Sequence, residues 1–166
     1  ELDILLVPRS LLEISIEKAY LATGDPSEDF AEVDHVVPSR RTSFSYAVIS
    51  NKGGVGKTHT VINLALAFAS KGKKTLVIDA AFENSDITNK LRLFPIYTIS
   101  DFLEGRASIE EATLETPYGF DVIPGKAGES HLTHLSREDW LKMMEAFSFV
   151  HSFYDVVLYD LSPGVN

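Results

Sequence analysis

Tyr46-Ala-Val-Ile-Ser-Asn-Lys-Gly-Gly-Val-Gly-Lys-Thr-His-Thr60 is the stretch whose reading decides the fold. The apolar run Tyr46 to Ile49 feeds a glycine-rich turn. The turn ends in Gly56-Lys57-Thr58 and opens onto an amphipathic segment. Strand, loop and helix in that order make a phosphate-binding loop. Gly53, Gly54 and Gly56 let the backbone bend tightly and bring its N–H groups close to an anion. Lys57 supplies a point charge for the β- and γ-phosphates, and the Thr58 hydroxyl is placed to hold Mg²⁺. The helix that follows points its positive end at the phosphates.

Working outward, Val61, Leu64, Ala65 and Phe68 recur at helical spacing after the loop, and Lys71-Gly72 closes that helix. Thr75-Leu-Val-Ile-Asp79 is an apolar, β-branched run that ends in a carboxylate, the composition of a buried parallel strand. Strand, helix and strand form one βαβ unit. Capping-box spacings at Thr98–Asp101, Ser108–Glu111 and Ser136–Asp139 predict helices over 99–104, 109–114 and 137–150. Between the last two lies a strand within Gly119–Pro124, and Asp155-Val-Val-Leu-Tyr-Asp160 is another apolar strand ending in an acid. Alternating strands and helices predict an α/β domain with a mostly parallel sheet flanked by helices. Ligands of such sheets bind beyond the carboxyl ends of the strands, where the glycine loop, Asp79 and Asp160 all fall. Asp160, ending a buried strand beside a phosphate loop, is the expected Mg²⁺ acid.

Residues 1–44 read differently from the rest. Ile4 to Val7 is a short apolar run, Leu11 to Tyr20 can line a short helix, and 24–44 is a polar linker. The expected division is therefore an N-terminal segment, 1–44, and a nucleotide-binding domain, 45–166. Lys+Arg 15 against Asp+Glu 24 gives a formal charge of −9, which argues against DNA binding through a broad basic surface. The absence of cysteine excludes disulfides and thiolate metal sites. No apolar run reaches the ~18 residues of a membrane span, and the acidic start Glu-Leu-Asp is not a signal peptide's basic n-region. A cytoplasmic protein is expected. His131, His134 and His151 are read as surface or core histidines rather than metal ligands. Trp140, Phe147, Phe149 and Phe153 are read as helix packing.

The strict pattern G-x-x-x-x-G-K-[ST] fails at its first position, which is Asn51, and a second lysine, Lys52, precedes Lys57 by five residues. Lys52-Gly-Gly-Val-Gly-Lys-Thr58 resembles the deviant Walker A motif of the MinD/ParA ATPases. Asp79 looks like the first acid of that family's D-x-D switch motif, and Asp160 like its Walker B acid. Tyr97–Gly105, Ile109–Ala112 and Tyr118–Gly125 look like the MinD branch, closest to FlhG-type regulators of flagellar number and placement. The resemblance covers residues 45–166 and implies a P-loop NTPase-like sheet truncated at its C-terminus. It implies ATP or ADP with Mg²⁺ as cofactors, contacted by Asn51, Lys52, Gly53, Gly54, Val55, Gly56, Lys57, Thr58 and His59. It implies metal contacts from Thr58, Asp160 and Asp79, and catalytic roles for Lys52 and Asp79. Lys52 matches the signature lysine that reaches across an ATP-dependent homodimer. Also implied are a protein partner from a positioning system and a peripheral membrane association.

Two departures bear on the chemistry. The second acid of D-x-D falls on Ala81, whose methyl group cannot orient water, and His59 replaces the second threonine of G-K-T-T. Nucleotide binding with slow or absent hydrolysis is expected. The other readings are a catalytically silent localisation scaffold of the same fold, a small-molecule P-loop kinase, and a DNA-partitioning protein.

Overall fold

A computed structural model describes residues 3–7 (backbone only), 43–81, 85–125 and 136–161. Its centre is a sheet of six strands: β1 (Asp3–Val7), β2 (Phe44–Ile49), β3 (Thr75–Ala80), β4 (Leu114–Glu115), β5 (Asp121–Ile123) and β6 (Val156–Leu161). They lie in the order β1-β2-β6-β3-β5-β4. The inner four, β2, β6, β3 and β5, run parallel, and β1 and β4 pair antiparallel at the two edges. The expected mostly parallel sheet is thus the one formed. The apolar run at Ile4–Val7 pairs along β2, from Asp3 opposite Ile49 to Val7 opposite Ser45. The short helix expected over 11–20 and most of the polar linker lie outside the described residues.

The helices are α1 (Lys57–Ser70), α2 (Ile87–Leu91), α3 (Ile99–Leu103) and α4 (Arg137–His151). Successive residues of a strand point to opposite faces, so β3 and β6 serve two cores. Leu76, Ile78, Val157 and Tyr159 face a cluster with Phe102 and Leu103 of α3 and Met143, Phe147 and Val150 of α4. Val77, Val156 and Leu158 face the other way, against Val61, Ile62 and Ala65 of α1 and Ile87 and Leu91 of α2. Burial on both faces explains why these strands read as continuous apolar runs. By the same alternation Asp79 and Asp160 point to the α1 side.

Local chemistry sets the helix ends. α1 begins directly after Gly56, whose φ of 96° is a left-handed value that side chains resist, and Gly54 has φ 73°. It stops at Lys71, with Gly72 at φ 73° behind it. α3 starts where Asp101 reaches back to the Thr98 N–H at 2.8 Å. α4 starts where the Ser136 hydroxyl accepts from the Asp139 N–H at 3.1 Å.

The helix expected over 109–114 does not form. Its capping box is complete: the Ser108 N–H donates to Glu111 at 2.8 Å, and the Glu111 N–H donates to the Ser108 hydroxyl at 3.2 Å. Only one turn follows, because Leu114 and Glu115 pair with β5 instead. Strand pairing here overrides the local helix signal. The aromatic residues of α4 and of the turn after it also differ from expectation. Phe147 is buried, whereas Trp140, Phe149 and Phe153 are about half exposed, with the last two rings edge to face at 5.0 Å. They lie off the Met143, Ala146, Phe147 and Val150 stripe that meets the sheet. His151 is a core histidine, as one of its two readings held. Its Nε2 lies 2.8 Å from the Tyr159 hydroxyl and its Nδ1 3.5 Å from the Ser45 hydroxyl. His131 and His134 lie outside the described residues.

Candidate functional site

The sheet order brings the predicted site residues to one place. β6 lies between β2 and β3, so Asp160 sits opposite Val48 on one side and Asp79 on the other. The glycine loop leaves the end of β2 and enters α1, which packs on the face to which both acids point. Asn51, Lys52, Gly53, Gly54 and Val55 are exposed, Gly56 and Thr58 are half-buried, Lys57 is buried and His59 is exposed. A Cβ added at Gly53, Gly54 or Gly56 would meet nothing within 4 Å. The loop therefore opens onto free space, and the positive φ at Gly54 and Gly56 is what demands glycine there. Such a loop, open at the start of a fourteen-residue helix, has the form of a phosphate cradle.

Asp160 is 1% exposed, and neither carboxylate oxygen has a hydrogen-bond partner. Burial pushes its pKa up; the Thr58 hydroxyl, near enough to act on the carboxylate though outside good hydrogen-bond geometry, and the Lys57 and Lys90 ammonium groups oppose that shift, and Asp86 adds to it. A buried carboxylate with both oxygens unsatisfied is costly for a fold to keep. A hard cation beside the Thr58 hydroxyl would satisfy it, so the donor set fits Mg²⁺.

Asp79 is 0% exposed but well supplied. Its Oδ2 accepts from the Ser85 hydroxyl at 2.7 Å and the Ile87 N–H at 3.4 Å, and its Oδ1 accepts from the Ala81 N–H at 3.3 Å. Burial raises its pKa to about 6; the Ser85 bond pulls the other way, and the Asp160 charge adds to the rise. With three donors, Asp79 fastens the chain that leaves β3 to the start of α2. Ala81, buried just past β3, offers no acceptor from its side chain.

Three residues near the site, Ser85, Gly125 and Lys90, had no sequence signal strong enough to single them out, while Asp86 was readable as a substitute for the missing switch acid but lacks the family spacing. Ser85 holds Asp79. Gly125 is required by close approach, since a Cβ there would lie 2.8 Å from the Asp79 carbonyl oxygen. Asp86 and Lys90 form an i, i+4 ion pair along α2, and the charges of both reach Asp160. The i, i+4 spacing was readable, but α2 itself is only five residues long and carries no periodicity to announce it.

Comparisons with known proteins agree with this fold. Residues 45–166 match the AAA domain family. Antiactivator FleN of Pseudomonas aeruginosa is 34% identical over 120 residues, covering 72% of this chain and 43% of FleN. Flagellum site-determining protein YlxH of Helicobacter pylori is 33% identical over 125 residues, covering 72% of this chain and 41% of YlxH. Among solved structures, the septum site-determining protein MinD of Pyrococcus horikoshii, in complex with Mg-ADP, aligns with TM-score 0.61 and 28% identity, covering 74% of this chain and 49% of that one. The chain thus spans under half the length of these relatives. With a phosphate loop of the deviant form, two strand-end acids and this kinship, the chain belongs to the MinD/ParA family of ATPases and is FlhG-like.

Proposed function

We propose that the protein is a MgATP-binding, dimer-forming switch that positions a cellular structure, with flagellar number or placement foremost and the division site next. The observation that carries this reading is Asp160, a buried carboxylate with no partner, set beside the Thr58 hydroxyl at the foot of an open phosphate loop. Kinship with an antiactivator and with a flagellum site-determining protein supports the flagellar role.

In this reading the loop N–H groups from Gly53 to Thr58 hold the phosphates, and Lys57 balances their charge. Asn51, Val55 and His59 lie along the same ligand as backbone contacts. Thr58 and Asp160, with Asp79 behind them, would hold Mg²⁺, which would supply charge neutralisation for the phosphates. Lys52 is exposed and stands apart from the buried Lys57, so it is free to reach a second copy. The dimer face then recruits a protein of the positioning system. The proposed location is the cytoplasm, with peripheral attachment to the membrane; among the described residues no helix is long and apolar enough to cross one.

Light scattering with ATP or a non-hydrolysable analogue tests the switch. The mass should double with nucleotide, and Lys52→Ala should abolish the doubling while leaving the monomer folded. A dimer that forms without nucleotide would contradict the switch. Ala81 favours a second reading, a catalytically silent scaffold of the same fold. Under that reading partner binding survives Lys57→Ala.

A further inference from the structure

We propose that Asp86 is the carboxylate that orients the attacking water for ATP hydrolysis at this site, in the place that Ala81 leaves without an acceptor. The inference rests on the reading of the loop and Asp160 as a MgATP site.

Phosphoryl transfer to water needs a group that accepts a hydrogen bond from the nucleophile and aims it in line with the leaving oxygen. The carboxylates gathered at this end of the sheet can be sorted by what already occupies them. Asp79 cannot serve, because it is fully buried and accepts three hydrogen bonds from Ser85, Ile87 and Ala81. Asp160 is equally buried and is the acid that fits the metal. Asp86 differs in exposure, although Lys90 and Asn89 already bond to its carboxylate. Its side chain is 41% exposed, so water reaches it.

Its place is fixed from both sides. Ser85 and Ile87, its two chain neighbours, are each hydrogen-bonded to the Asp79 carboxylate. That pins the Asp86 backbone above the strand end where Asp79 and Asp160 stand in register. Asp86 occupies the N-cap of α2, yet its side chain makes no capping bond. Instead it turns along the helix to an ion pair with Lys90. The charge of His59, in the first turn of α1, acts on Asp86, whose own charge acts on Asp160. An acceptor not consumed by capping, exposed to water and close enough to couple in charge with His59 and Asp160, is what the missing switch acid would otherwise supply.

In the step itself, the water oxygen bonds to the γ-phosphorus. The bond from phosphorus to the bridging oxygen breaks, and its electron pair leaves with ADP. Asp86 accepts a hydrogen bond from the water throughout, and the water's proton ends on inorganic phosphate. An exposed carboxylate is ionised at neutral pH with or without that ion pair to Lys90, so Asp86 is an acceptor in either case.

Steady-state phosphate release and MgATP affinity, measured together, test this. Asp86→Asn should lower kcat about 10- to 100-fold with the dissociation constant for MgATP within about threefold of wild type. Asp86→Glu should recover part of the rate. Lys90→Met, which removes the ion pair but keeps the carboxylate, should leave kcat within about threefold. That split separates water orientation from a merely structural ion pair. The inference is overturned if Asp86→Asn keeps the wild-type rate, or if Lys90→Met loses as much as Asp86→Asn. It is also overturned, with the nucleotide site left standing, if the wild-type protein binds MgATP but releases no phosphate. Failure to bind MgATP at all would overturn the site reading as well.

Discussion

Asp160→Asn should make the nucleotide-free protein more stable by about 1–3 kcal/mol, while removing the effect of Mg²⁺ on ATP binding. Both halves follow from one feature. Asp160 is buried with both oxygens unpartnered. An ionised carboxylate in that position costs more than the neutral amide that replaces it at nearly the same volume. The amide cannot supply the charge that holds a hard cation, so function falls as stability rises. Such an exchange is expected where a fold carries a strained polar group for chemistry.

The pH dependence has a definite sign. Burial raises the pKa of Asp160 and brings that of Asp79 to about 6, both above the ordinary value of 3.8. A carboxyl whose folded pKa is raised carries a penalty that is complete above the folded pKa. The penalty disappears as pH falls towards the unfolded pKa. In metal-free buffer the wild-type protein should therefore gain stability between about pH 7.5 and pH 5, and Asp160→Asn should gain less. Asp86 and Asp101 have lowered pKa values, so their opposing loss sets in only at more acid pH. Denaturant midpoints with a chelator present give the comparison. An Asp160→Asn protein less stable than wild type at pH 7.5 would show that the carboxylate is satisfied after all.

Ala81→Asp should raise the rate of ATP hydrolysis by about 10- to 100-fold with little change in MgATP affinity. Ala81 lies just past β3, two residues beyond Asp79, and its N–H bonds the Asp79 carboxylate. A carboxylate there would start from a backbone already fixed against the acid pair, which favours a well-oriented acceptor. The methyl group now present contributes none of the water orientation that phosphoryl transfer requires. If Asp86 orients the water at present, the new acid should also make Asp86→Asn less harmful than it is in the wild-type background. Phosphate release under saturating MgATP measures both. An unchanged rate in Ala81→Asp would mean that chemistry at this site is limited by something other than a missing acceptor.

The phosphate loop and the two acids were legible because each is announced locally. Glycines with a lysine and a threonine at set spacing, or a carboxylate after a β-branched run, need no distant residue to be recognised. The sheet order adds what local reading lacks, placing β6 between β2 and β3 so that Asp79 and Asp160 meet in register. Features that depend on partners far along the chain were harder to read. Pairing of Asp3–Val7 with β2 joins residues some forty positions apart. The polar contact of His151 with Tyr159 and Ser45 exists only once α4 lies on the sheet. Ser108–Glu111 shows the reverse case, a complete local signal that yields one turn because β5 offers Leu114 and Glu115 a ladder. The role of Ser85 is likewise invisible until the chain folds back on Asp79.

The central claim is that the open loop, Lys57, Thr58 and Asp160 together make a Mg²⁺-dependent nucleotide site. Calorimetric titration of the folded protein with ATP, in the presence of Mg²⁺ and again with a chelator, tests it most directly. The account predicts saturable binding of one nucleotide per chain that weakens at least about tenfold, some 1.4 kcal/mol, when Mg²⁺ is removed. Absence of binding, or binding of equal strength with and without Mg²⁺, would contradict it.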